Sequence, residues 1–70
     1  MYIHIFKTDI RTHEDIAILN KLFSVNPAIS RWTVDMHDVD HVLRIESSIE
    51  NPSDLIHTVR RAGYYCADLD

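Results

Sequence analysis

Seventy residues, 46% of them apolar, allow one folded domain with a small core and argue against a disordered chain. The formal charge is -4, and the seven basic residues are scattered; this argues against a nucleic-acid or anionic-membrane partner, which needs concentrated positive charge. The single cysteine, Cys66, excludes an internal disulfide and a cysteine-pair metal clamp, and fits a reducing, cytoplasmic setting.

The chain opens on Tyr2-Ile3-His4-Ile5-Phe6, alternating aromatic and β-branched residues that predict a strand over 2–7. The same stretch lacks the basic start of a signal peptide, and the longest apolar run is too short to cross a bilayer. Ile3 and Ile5 are expected to face the core; Tyr2, His4 and Phe6 then face away from it. Thr8 to Arg11 is a loop. Thr12 is a helix N-cap, with Glu14 and Asp15 in the first turn, where the helix dipole favours carboxylates. The helix runs over 13–24, with Ile16, Leu19, Leu22 and Phe23 in one apolar stripe. Asn26-Pro27 ends it.

Residues 30–37 alternate again, with Trp32, Val34 and Met36 on one face. His37-Asp38-Val39-Asp40-His41 is a polar turn. The next strand places Leu43 and Ile45 on one face and Val42, Arg44 and Glu46 on the other. Asn51 and Pro52 then start a second helix, with Leu55, Ile56, Val59 and Ala62 as its buried stripe. Gly63 falls where a left-handed C-terminal cap is needed. A short strand follows over 64–69. The order β-α-β-β-α-β predicts a ferredoxin-like α+β domain over 1–70: a four-stranded antiparallel sheet, strand order 4-1-3-2, with two helices on one face.

Three segments carry a family resemblance. They are Ile3-x-Ile5-x-Lys7, Trp32-Thr33-Val34-Asp35-Met36 and Arg61-Ala62-Gly63-Tyr64. In these the chain resembles the heavy-metal-associated domain of copper chaperones and metal-pumping ATPases. The resemblance covers nearly the whole chain, through core and cap positions. It implies a metal motif, Met-x-Cys-x-x-Cys, at the junction of first strand and first helix, where two thiolates hold a soft ion such as Cu(I). The matching positions here are Lys7, Asp9 and Thr12. None is a sulfur ligand, and Lys7 adds positive charge that repels a cation.

What remains for a metal is nitrogen and oxygen. His37 and His41 flank the hairpin turn with Asp38 and Asp40, and Asp9 lies close to His13 in sequence. Either group is a candidate weak site for Zn(II), Ni(II) or Cu(II); the plainer reading is a polar turn and a capped helix. His57 falls on the solvent side of the second helix, and Cys66 reads as a buried, inert thiol. The open face of the sheet is the other candidate. Tyr2, His4 and Phe6, joined by Tyr65 and Leu69, are expected to form an aromatic and aliphatic contact patch. Neither a glycine-rich phosphate loop nor a nucleophile paired with a histidine is present, so catalysis is not expected. The expectation is a non-catalytic module without cofactor that contacts a protein partner or a second copy. The alternative is a divalent-metal protein with a histidine and aspartate site.

Overall fold

Helix and strand ends follow the side chains that cap them. In the computed structural model, which describes residues 1–69, the elements are β1 (Tyr2–Thr8), α1 (His13–Ser24), β2 (Ile29–Asp35), β3 (Val42–Ser47), α2 (Pro52–Arg61) and β4 (Cys66–Asp68). Thr12 Oγ1 accepts from the Asp15 N–H at 3.1 Å, and Asp15 Oδ2 accepts from the Thr12 N–H at 3.1 Å, a reciprocal capping box. Asn51 Oδ1 accepts from the Ser53 N–H at 2.9 Å, with Pro52 filling the first helical position. Gly63 closes α2 at φ +97, a conformation other residues rarely adopt.

Two strands are shorter than their alternation predicts, each for a local reason. β2 stops at Asp35 because Asp35 Oδ1 accepts from the His37 N–H at 3.1 Å, which bends the chain into a turn. β4 begins only at Cys66, because Tyr64 and Tyr65 are bound elsewhere. The Tyr64 hydroxyl donates to Asp15 Oδ1 and the Tyr65 N–H donates to Asp9 Oδ1, each at 2.9 Å.

All four strands form one antiparallel sheet, order β2-β3-β1-β4, as in a ferredoxin-like α+β fold. β2 carries a register shift between Ile29 and Arg31, and the extra residue is Ser30, whose Oγ donates to the Glu46 carbonyl at 3.0 Å. The core lies between sheet and helices. Phe6, Leu43, Ile45 and Cys66 come from the strands, Leu19, Phe23, Leu55 and Val59 from the helices, and Ile10 from the β1–α1 loop. Trp32 meets Phe23 edge-on, ring centres 5.2 Å apart.

The facing of β1 is the reverse of the one its alternation suggested. Phe6 is fully buried, whereas Ile3 and Ile5 are 53% and 42% exposed. Register explains it: Phe6 lies opposite Leu43 and His4 opposite Ile45, both buried, while Ile3 and Ile5 lie opposite Glu46 and Arg44. Tyr2, His4 and Phe6 therefore share the helix side. This facing fills the core centre with the larger ring, continues inward through Thr8, and leaves Lys7 on the solvent side. The His4 Nε2–H also donates to the Ile49 carbonyl at 2.8 Å, and its ring stacks near Phe6.

Candidate functional site

The open face is built by residues that the pleat turns away from the helices. Ile3, Ile5 and Lys7 come from β1, and Val42, Arg44 and Glu46 from β3. The Leu69 N–H donates to the Ile5 carbonyl at 3.1 Å, which carries the β1–β4 pairing one residue past β4 and sets Leu69 beside Ile5. Ala67 lies opposite Lys7 on the same face. Tyr65, half exposed, lies just before the inward-facing Cys66.

The centre of this face is thus Ile3, Ile5 and Leu69. An Arg44–Glu46 ion pair, 2.6 Å between Nη1 and Oε2, lies along one side. Of the five contact residues expected from sequence, Leu69 takes its place here and Tyr65 borders it. Tyr2, His4 and Phe6 do not. Ile3 and Ile5 replace them, and the signal for this was Lys7, since a charged residue two positions on marks the solvent side of a strand. The described residues enclose no pocket.

The junction between β1 and α1 is an arrangement of side-chain oxygens that accept from backbone N–H groups. Asp9 holds the chain before β4 through Tyr65, Thr12 caps α1, and Asp15 accepts from the N–H groups of Arg11 and Thr12 and from the Tyr64 hydroxyl. These bonds hold the Asp15 carboxyl below its ordinary pKa, the Arg11 N–H contributing most and the Tyr64 hydroxyl next. Tyr64 is held above its own ordinary value, by burial first and then by the Asp15 carboxylate. His13 is the first residue of α1.

At the hairpin, Asp38 Oδ1 accepts from the Asp40 N–H at 2.8 Å, and Asp35 is bound to His37 as above. His41 adopts φ +44, and the Thr8 hydroxyl donates to its carbonyl at 2.6 Å. Its Nδ1 is buried with no hydrogen-bond partner among the described residues. Among the described residues, no three histidine, cysteine, aspartate or glutamate side chains come together as a metal-binding group. His37, His41, Asp9 and His13 are therefore not gathered with a third such ligand. Also among the described residues, no helix is long and apolar enough to cross a membrane.

The sequence matches no protein-family model and no curated protein.

Proposed function

We propose that this chain is a non-catalytic contact module. Its scaffold is that of a heavy-metal-associated domain whose Cu(I) clamp is replaced by Lys7, Asp9 and Thr12, and it binds a protein partner through the open face of its sheet. The observation that carries this reading is the exposure of Ile3 and Ile5 at the centre of that face. Two β-branched aliphatics on a central strand keep apolar surface in water, which a covering partner would bury. Arg44, Glu46 and Lys7 supply a charged rim of both signs. The proposed setting is cytoplasmic, which a single free and buried cysteine supports.

The test is affinity capture with the natural chain and with an Ile3→Ser/Ile5→Ser variant, followed by calorimetry against the purified partner. A partner bound by the natural chain and lost by an equally folded variant is the expected result. Equal binding by both would place the contact elsewhere. Micromolar heats of binding to Zn(II), Ni(II) or Cu(II) in chelator-treated protein, abolished by His37→Ala or Asp9→Ala, would overturn the module reading in favour of a metal protein.

A further inference from the structure

We propose that the free edge of β2 pairs with β2 of a second copy, antiparallel about a two-fold axis through Thr33. The hydrogen-bond pattern of the sheet decides which backbone groups of β2 are free. The Leu69 N–H donates to the Ile5 carbonyl, so Ile5 turns its backbone polar groups to β4, and its neighbours His4 and Phe6 turn theirs to β3. Their partners Ile45 and Leu43 therefore face β1, which leaves Val42, Arg44 and Glu46 bonding to β2. These pair with Asp35, Thr33 and Arg31. The N–H and C=O groups of Trp32 and Val34 are left pointing out of the sheet.

An edge of this kind accepts a further strand unless its side chains forbid it. Charged edge residues are the usual guard, and here they are Arg31 and Asp35, both exposed on the open face on either side of Thr33. Their order makes the guard selective. With Thr33 on the axis, Arg31 of each copy lies opposite Asp35 of the other, and Trp32 opposite Val34, so the free backbone groups of both strands meet in register. Sliding by two residues in one direction sets Arg31 opposite Thr33, and in the other opposite His37. Only the centred register matches opposite charges twice. The other edge, β4, has three residues and offers no comparable ladder.

The axis runs perpendicular to the sheet, so both helix layers lie on one side and the sheet becomes eight strands wide. The two open faces become one continuous surface. The pairing does not depend on the open-face contact proposed above, and the tests separate them: Ile5→Glu would impair that contact and leave the edge pairing unchanged.

Sedimentation from micromolar to millimolar concentration, with circular dichroism as a check on folding, reads the assembly. Arg31→Asp and Asp35→Arg each set like charges opposite one another at two symmetric positions, and each is expected to weaken the dimer about tenfold or more. The double swap Arg31→Asp/Asp35→Arg restores opposite charges and is expected to restore the dimer. Thr33→Cys places two thiols at a non-hydrogen-bonded pair, where Cα atoms about 4.5 Å apart fall within disulfide reach, so oxidation should give a covalent dimer. Arg31→Cys is the control, since its symmetry mates lie about 13 Å apart along the strand. A chain that stays monomeric at millimolar concentration overturns the proposal. So does a dimer that ignores both single charge reversals, or one that cross-links no better through Thr33→Cys than through Arg31→Cys.

Discussion

The Tyr64 hydroxyl donates to Asp15 Oδ1 at 2.9 Å, joining two residues 49 positions apart. It ties the segment after α2 to the first turn of α1. Asp15 Oδ2 meanwhile holds the N–H groups of Arg11 and Thr12. One carboxylate therefore caps a helix and anchors the approach to β4. Tyr64→Phe is expected to lower the melting temperature near neutral pH. The folded carboxyl has a lowered pKa, so its stabilisation is complete above the ordinary aspartate range and is lost as pH falls through the folded value. The melting-temperature gap between natural chain and variant should accordingly narrow below about pH 4. A gap that is constant with pH would show that the carboxylate is not the partner that matters.

The facing of β1 predicts unequal costs at adjacent positions. Phe6→Ala empties the centre of the core and is expected to cost about 3–5 kcal/mol. That is comparable with the whole stability of a domain this size, roughly 3–10 kcal/mol, so the variant should be largely unfolded at room temperature. Ile5→Ser, one residue away on the open face, should cost about 0.5–1 kcal/mol. Urea titrations of the two variants check the assignment, and equal costs would contradict it.

The two positive φ angles among the described residues are opposite cases. Gly63 occupies φ +97, and a Cβ there would meet nothing within 4 Å, so Gly63→Ala is disfavoured by backbone strain alone, by about 1 kcal/mol. His41 bears similar strain at φ +44 and has a buried, unpartnered Nδ1. His41→Gly relieves both at the cost of a more flexible unfolded chain, so stability should hold or rise by up to about 1 kcal/mol. Thermal melts in one buffer decide both, and a destabilised His41→Gly would mean that the ring packs more productively than its orphan nitrogen suggests.

Cys66 should be inert in the folded protein. Burial pushes its thiol up from 9.0 to about 11, partly opposed by Arg60, whose Nε–H donates to the Cys66 carbonyl at 3.0 Å. A thiol-specific reagent is expected to react only once denaturant opens the core. Because the folded pKa is raised, the contribution is complete below about pH 9 and is lost as pH rises through about 11. Rapid labelling of the native chain at neutral pH would contradict this.

Most of the architecture was legible because its punctuation is local. Thr12 with Asp15, Asn26-Pro27, Asn51-Pro52 and Gly63 each fix an element end through one or two bonds within a few residues. The facing of β1 was not legible from apolarity, because both of its sides are apolar: Tyr2, His4 and Phe6 against Ile3 and Ile5. Pairing with Leu43 and Ile45 decides it, and that is a contact across nearly 40 residues of chain. The late start of β4 was hidden for the same reason, since it depends on Asp9 and Asp15 reaching Tyr65 and Tyr64. The open face was legible as a location, and its residues were misassigned only where β1 was inverted.

The position of β1 in the sheet also bears on when the protein can assemble. β2 and β3 are joined by a short turn and can pair as soon as both exist. β1 is translated first yet lies between β3 and β4, the latter some 60 residues downstream. Until β3 arrives, Phe6 has no core to enter, and until β4 arrives, one edge of β1 stays unsatisfied. A ribosome-bound chain stalled before residue 66 would hold β1 paired with β3 on one side and open on the other, an aggregation-prone flank that only β4 closes.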